Sequence, residues 1–385
     1  MKNRRELIIT HDEKYMQQAL KLARRGIGSV EPNPAVGAVI VKQNQVIGKG
    51  YHKKFGLPHA EINAIEDCKN LGANPAGATM YVTLEPCCHK GKTPPCTDAV
   101  IKAGLKKVVI ATIDPSEHSY GKGIEQLRQA GIEVQTGVCE KEARLLNAPF
   151  FKFASTSKPW VILKWAQTID GKMAWADSGD EQKWISNELS REDVHKLRRR
   201  VQAILVGIKT VISDDPLLTP RPAKGKKPLR IVLDSSLRIP LNCKLLSTAP
   251  EVPLLILTNE NALRTNPQTA EKITKQGAEI LAYPQTYGRS NLYFLLDELG
   301  KRGLAQLLIE GGPTILTSFL KENLADEIYV YIAAKILGSK GSSNITDPTA
   351  QLTQTLDFQH VDFRAFGDDI RVTALSRRAV DEVLK

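Results

Sequence analysis

"HAEINAIEDC" at 59–68 and "LEPCCHKGKTPPC" at 84–96 gather two histidines and four of the chain's six cysteines, with Glu61 two places after His59. The first stretch carries apolar residues at helical spacing and reads as a helix. The second leaves a strand, "ATMYVTLEP", and enters another helix, "CTDAVIKAGL". Around them the same alternation continues. "HDEKYMQQALKLARRG" is helix-like with a glycine stop. "AVGAVIVKQNQVIGKGYH" reads as a hairpin turning near Gln43–Gln45. "KKVVIATIDP", "GIEQLRQAG" and "IEVQTGV" add strand, helix and strand. Helices interleaved with strands predict an α/β sandwich.

With 385 residues the chain exceeds one ordinary core, so two domains are expected. Ser155–Pro159, polar and closed by proline, is the best linker candidate. The boundaries predicted are 10–153 for the first domain and 158–375 for the second, with a frayed tail. The second repeats the α/β alternation through "WVILKWAQTIDG", "VQAILVGIKTVI", "LRIVLDSS", "VPLLILTN", "LAQLLIEGGPTILTSFLKENL" and "ADEIYVYIAAKILG". Charged residues at 25% and hydrophobic ones at 42% exclude a disordered chain. The apolar runs are strand-length, so no membrane partner is expected. The start lacks a signal core, and the expected location is the cytoplasm. Sparse cysteines, mostly clustered, argue for metal or catalysis rather than a disulfide framework.

A catalytic zinc takes three protein ligands and keeps a position open. The natural trio is His59, Cys87 and Cys96, with Glu61 as the proton carrier. His59 would open one helix and Cys96 another, and helix N-termini favour thiolates. Cys88 diverges from its neighbour Cys87 in extended backbone, while His89 remains a competing ligand. A closed, structural zinc site is the plainer alternative, although it has no use for Glu61.

These residues resemble the zinc-dependent cytidine-deaminase superfamily, in which an activated water attacks an amino-bearing ring carbon and the glutamate moves protons. The usual spacing of that family's cysteines is absent, because Lys90 stands where the second is expected and eight residues separate Cys87 from Cys96. The longer insert, "PNPAVGAVIV" (32–41) and "GYHKKFGLPHAE" (50–61) are similar to the pyrimidine deaminases of riboflavin biosynthesis. The resemblance implies that Asn33, His52 and Lys92 line the substrate pocket. As residues alone, Asn33 reads equally as a turn residue and the other two as exposed loop positions.

The second half carries weaker signals: "TIDGK" (168–172), "TVISDDPLLTPR" (210–221) and "LLIEGGPTIL" (307–316). Glycines opening a helix suit an anion, yet a lone pair is as readily a tight turn. No dinucleotide fingerprint of three spaced glycines is present. In order, however, these segments resemble the reductase half of the same riboflavin enzymes, whose fold is similar to dihydrofolate reductase and whose cofactor is NADPH. The resemblance implies cofactor contacts at Gln167, Trp184, Thr210, Asp214 and the run Gly312, Pro313, Thr314, Ile315, Leu316, Thr317 and Ser318. Asp214, rather than Asp215, aligns with the acid nearest the cofactor and is the catalytic candidate there. Gln182, Arg198, Leu218, Arg221 and Glu310 would hold the substrate, Gln182 replacing a serine. Arginines such as Arg198 and Arg221 bind phosphate with two donors at once, and are otherwise surface charges.

The implied whole is a cytidine-deaminase-like α/β/α sandwich followed by a dihydrofolate-reductase-like α/β domain. Zn2+ and NADPH are its cofactors, a small phosphorylated pyrimidine is its substrate, and family precedent favours a homo-oligomer, dimer or larger. The net charge of +11 keeps a rival open, a zinc deaminase of tRNA or single-stranded DNA with a basic binding module. With 6% aromatic residues and no stacking array, a nucleic-acid partner is not expected. A third reading is a zinc-stabilised interaction module without chemistry.

Overall fold

The computed structural model describes residues 9–89, 94–176, 184–222, 227–284, 291–342 and 355–385. Packing divides the chain between Ser155 and Thr156. The first unit holds α1 (His11–Ala23), β1 (Gly37–Lys42), β2 (Gln45–Tyr51), α2 (Ala60–Asn70) and β3 (Thr79–Val82). It continues with α3 (Cys96–Lys102), β4 (Lys107–Ile110), α4 (Lys122–Gln129), β5 (Glu133–Thr136), α5 (Glu140–Leu146) and α6 (Ala148–Thr156).

The predicted hairpin forms because Gln43 and Asn44 both adopt positive φ, 49° and 62°, as a two-residue turn between twisted strands requires. Its strands enter a five-stranded sheet of order β2-β1-β3-β4-β5. Strand alternation then sorts side chains into two layers. Ala38, Ile40, Met80, Val82, Val108 and Ile110 pack beneath α2, α3 and α4. Val39, Val41, Tyr81 and Val109 pack against α1 and Ala143 of α5. The result is the three-layer sandwich expected.

β3, β4 and β5 run parallel, so the connections that follow them emerge at one edge of the sheet. The start of α2 is pressed hard onto β2. A Cβ on Gly50 would lie 2.3 Å from both the Ala60 carbonyl oxygen and the Ala64 nitrogen. The first turn of α2, which follows His59, therefore lies directly on a glycine backbone.

The second unit contains β6 (Trp160–Thr168), β7 (Ala174–Trp175), α7 (Glu188–Arg200), β8 (Ala203–Gly207) and α8 (Ile208–Asp214). Next come β9 (Leu229–Leu233), α9 (Lys244–Ser247), β10 (Leu254–Asn259), α10 (Glu260–Thr265), α11 (Pro267–Lys275) and β11 (Glu279–Tyr283). α12 (Asn291–Lys301), β12 (Gln306–Glu310), α13 (Pro313–Lys321) and β13 (Glu327–Ala333) follow. β14 (Gly341–Ser342), β15 (Phe358–Phe366), β16 (Asp369–Ser376) and α14 (Arg377–Leu384) complete it. Its main sheet runs β11-β10-β9-β8-β12-β6-β13-β16-β15. Seven strands are parallel, and β16 and β15 close one side antiparallel.

The order reverses between β8 and β12. After β8 the chain steps outward to β9, whereas after β12 it proceeds to β13 on the far side of β6. In an open parallel sheet a ligand crevice forms beyond the strand ends at such a switch. The expected frayed tail is instead helical. Ser376 caps α14 by accepting the Ala379 N–H, and Ala379, Val380 and Val383 are buried. A short apolar stripe at helical spacing was enough to order it.

Gly50→Ala is expected to destabilise the first unit by about 1–3 kcal/mol. Calorimetry of the full chain should show the transition of the first unit lowered and that of the second unmoved. Unchanged melting of both would contradict the close packing of α2 on β2.

Candidate active sites

In the first unit three ligand atoms converge. His59 is the N-cap residue of α2, Cys96 is the first residue of α3, and Cys87 follows the end of β3. His59 Nδ1 lies 3.6 Å from Cys87 Sγ and 3.3 Å from Cys96 Sγ. All three ligand atoms fall within 4.8 Å of one another. A tetrahedral ion bonded at about 2.1 Å to nitrogen and about 2.3 Å to sulfur keeps its ligands about 3.5–3.8 Å apart. The side chains thus fit zinc nearly as they stand. Cys88 and His89 take no part; the His89 ring meets Ser119 Oγ at 3.4 Å.

The electrostatics fit the same ion. Hydrogen bonding from Cys96 holds the Cys87 thiol well below its ordinary range, while Cys96, facing that thiolate, keeps its proton. The hydrogen bond to Cys87 raises the His59 pKa against the opposing effect of burial. Glu61, one residue inside α2 and 3% exposed, is pushed up to about 7 by burial and then by the Cys87 charge. A carboxyl with that pKa exchanges protons in both directions near neutrality.

Two polar groups flank this cluster. His52 is buried rather than exposed; its ring centroid is 5.1 Å from that of His59, and its Nε2 has no hydrogen-bond partner. Burial, then the His59 charge, lowers its pKa, with the backbone at Pro34 and Lys54 opposing. Asn33 is half-buried, its N–H donating to the Val30 carbonyl at 3.0 Å. Lys92 and Gln182 lie outside the described residues.

Glu85, in the quoted "LEPCC", received no role from sequence. Its buried carboxylate accepts the N–H groups of Asp114, Gly121, Gly123 and Ile124, and so fixes the loop after β4 beside Cys87. No spacing rule announces such a group, because its partners are all backbone.

In the second unit the switch point carries Gly207, Gly311 and the start of α13. A Cβ on Gly311 would meet Ile315 Cγ2 at 2.7 Å and approach Thr210 Oγ1 at 3.7 Å and the Gly207 nitrogen at 3.9 Å. This backbone cradle at a helix start suits a phosphate. Of the run 312–318, Gly312 caps α13 and Pro313 opens it, with Thr314 exposed at its first turn. Ile315, Leu316 and Thr317 are buried, the first two in the main core, and Ser318 Oγ donates to the Thr314 carbonyl. Helical geometry thus turns the side chains of Ile315, Leu316 and Thr317 inward and leaves the first turn of α13 as the part of the run that faces out.

Thr210 and Asp214 are four apart on α8 and share a face. Asp214 is exposed and accepts Ser213 Oγ at 2.8 Å. Asp215 is committed elsewhere, accepting the Lys244 N–H at 2.7 Å. Trp184, 59% exposed, stacks with Arg191 at 5.1 Å, and Gln167 Oε1 accepts Trp165 Nε1 at 2.7 Å. Leu218 is buried with φ of 53°.

Arg198 does not present the free fork expected of a phosphate ligand. Its Nε and NH2 donate to the two Glu310 oxygens at 2.7 and 2.8 Å, and its NH1 reaches the Thr219 carbonyl at 3.2 Å. Arg221 is exposed, and its carbonyl accepts Arg199 NH1 at 2.9 Å. Burial would raise the Glu310 pKa, but Arg198 and then Lys164 outweigh it and keep the carboxyl ionised. Lys164 stands opposite Glu310 across the β6–β12 pairing, 5.6 Å over the Tyr331 ring, and its pKa is lowered by burial. His195, one turn before Arg198, is depressed to about 4 by burial, then by Arg198 and Arg221. Lys164 and His195 received no individual role from the sequence, although both stand in stretches, "KWAQTIDGKMA" and "HKLR", that carry the resemblance.

Comparison with known proteins agrees with both halves. Residues 9–112 match the family described as "Cytidine and deoxycytidylate deaminase zinc-binding region", and residues 159–372 match "RibD C-terminal domain". The "Riboflavin biosynthesis protein RibD" of Aquifex aeolicus (strain VF5) is 48% identical over 85% of this chain and 88% of its own. The protein of that name from Escherichia coli (strain K12) is 39% identical over 93% of this chain and 98% of its own. Form 1 of Acinetobacter baumannii RibD superposes with a TM-score of 0.79 at 37% identity, covering 95% of this chain and 99% of that one. A Thermotoga maritima structure described as a diaminohydroxyphosphoribosylaminopyrimidine deaminase/5-amino-6-(5-phosphoribosylamino)uracil reductase superposes at 0.77 with 35% identity, covering 95% and 99%. The deaminase-like and dihydrofolate-reductase-like halves expected from the sequence are thereby both found.

Zinc entry must displace the Cys96 proton and, in mild acid, the one His59 retains. Zinc binding to the metal-free chain is therefore expected to tighten as pH rises from 6 to 8, by about tenfold per pH unit for each proton displaced. Competition with a chelator at constant salt measures it. An affinity independent of pH would contradict the protonation pattern.

Proposed function

This chain belongs to the RibD family, and from that premise we propose how its residues share out the chemistry. It is a bifunctional enzyme of riboflavin biosynthesis, a zinc-dependent deaminase and an NADPH-dependent reductase. Its substrate is a small phosphorylated pyrimidine. We take 10–153 as the deaminase domain and 158–375 as the reductase domain, the latter extended by the C-terminal helix. The observation that carries the deaminase reading is the buried Glu61 beside the His59, Cys87 and Cys96 triangle.

His59, Cys87 and Cys96 would hold the zinc. When bound, it supplies Lewis acidity and a nucleophilic water near neutral pH. Glu61 would relay both protons of the attacking water, carrying the first to the ring nitrogen and the second to the departing amine. The balance is hydrolytic: water enters, ammonia leaves, and an amino-bearing carbon becomes a carbonyl. Asn33 and His52 hold the ring edge through an amide and an unpartnered buried nitrogen, and Lys92, outside the described residues, is the third residue expected to line the pocket.

In the reductase half the Gly207 and Gly311 cradle, Thr210 and the first turn of α13 would seat the dinucleotide, with Trp184 and Gln167 nearer its other end. NADPH supplies the hydride that converts the ribosyl group to ribityl. Glu310, locked by Arg198, orients sugar hydroxyls, Lys164 donates a hydrogen bond from below, and Arg221 takes the phosphate. Asp214 holds the cofactor side of the crevice. The nucleic-acid editor is set aside, because the second unit matches the RibD C-terminal domain rather than a basic binding module.

Self-association would run through the reductase half. β15 is an edge strand exposed along most of its length, with Val361 and Phe363 48% and 68% exposed, and Ile370 lies on the adjoining β16. Such an exposed edge strand, with two apolar side chains in the open, invites pairing with a second copy. Phe363→Glu is expected to shift the full chain from dimer to monomer in sedimentation; an unchanged distribution would rule out this edge.

The separation of the two chemistries has its own test. Glu61→Gln should lower ammonia release by about 10²–10⁴-fold, while NADPH oxidation on the preformed aminouracil stays at the wild-type rate. Asp214→Asn should do the reverse. Parallel loss of both activities in either folded variant would contradict independent sites.

A further inference from the structure

Outside the zinc cluster and the reductase crevice, one buried amide bridges 112 positions of sequence. Asn147 stands between α5 and α6. Its N–H ends α5 on the Ala143 and Arg144 carbonyls, and its own carbonyl accepts the Phe150 and Phe151 N–H groups. The side chain, 4% exposed, turns to a different segment. Asn147 Oδ1 accepts the Ala35 N–H at 2.7 Å, and Asn147 Nδ2 donates to the Ala35 carbonyl at 2.9 Å. One side chain thus supplies the two-point pairing that a neighbouring strand would give. A primary amide is the group that offers donor and acceptor together at this reach.

The segment so held lies beside the deaminase crevice. Ala35 is two residues after Asn33, and the next carbonyl, that of Val36, accepts the His52 N–H at 2.9 Å. Sheet pairing begins only at Gly37, so the ladder does not fix Ala35. We propose that Asn147 is a positioning residue for the deaminase substrate, holding the Ala35 backbone so that Asn33 and His52 keep their places on either side of it. This rests on Asn33 and His52 being substrate contacts. Asn147 itself touches no reacting atom. Its influence falls on binding, because the metal ligands and Glu61 belong to other segments.

The test uses full-length, zinc-loaded protein. Asn147→Asp keeps an acceptor for the Ala35 N–H but turns a second oxygen on the Ala35 carbonyl, and Asn147→Leu removes both bonds. The expected result for Asn147→Asp is a KM for deamination raised by about tenfold to a hundredfold. The kcat should change far less, zinc content should stay at wild type, and NADPH oxidation on the preformed aminouracil should be unaffected. Leu127→Ala, a cavity in the same unit's core, controls for lost stability and should leave KM alone. A wild-type KM in Asn147→Asp, or an equal rise in Leu127→Ala, would overturn the proposal. So would loss of zinc or of the first unit's unfolding transition in both Asn147 variants, which would make the residue structural. Failure of the deaminase reading would show separately, as no ammonia release from the unmodified chain.

Discussion

Two thiols and an imidazole packed around one point repel each other as soon as more than one proton leaves, and the first unit is built to hold them there regardless. His59 is fixed by the opening of α2, which lies on the bare backbone of Gly50. Cys96 is fixed by the opening of α3, and its N–H donates to Cys87 Sγ at 3.4 Å. Glu85 anchors the strand end before Cys87 through four backbone donors. Without a metal the retained Cys96 proton links the two sulfurs, and a dication would take its place when both thiols ionise. Burial of Glu61 in the same place then gives the site its proton carrier, since a carboxyl excluded from water holds a proton at a pH where an exposed one would not.

Much of this could be read in the sequence, for identifiable reasons. The hairpin turn needed two residues tolerant of positive φ, and Gln43–Asn44 stood between two β-rich runs. The ligand trio was legible because zinc demands particular atoms and the helix starts fall at His59 and Cys96. Burial was less so. His52 read equally as an exposed loop residue, yet it is buried, with its ring beside that of His59. Glu85 and Asn147 were invisible as functional groups, since both act on backbone atoms far away in sequence.

The second unit shows the same division. Its switch point follows from strand order, which no local pattern reveals; only the glycine pair before α13 hinted at it. Arg198 was expected to hold the substrate's phosphate, but three of its donors serve Glu310 and Thr219, and a sequence gives no means of counting donors already in use. Lys164 was hidden by its setting. Nothing in the run "WVILKW" tells which residue its lysine will meet, and here it stands opposite Glu310 across the parallel pairing. The ion pair between Arg198 and Glu310, with Lys164 opposite Glu310, offsets the cost of taking the buried carboxylate out of water.

The most direct measurement is X-ray absorption at the zinc edge on the metal-loaded protein in solution. The predicted spectrum has two sulfur neighbours at about 2.3 Å and two lighter ones, one imidazole and one exchangeable, near 2.0–2.1 Å. A shell of three or four sulfurs, or one with no exchangeable light atom, would mean a closed structural site, and the chemistry assigned to Glu61 would have nowhere to occur.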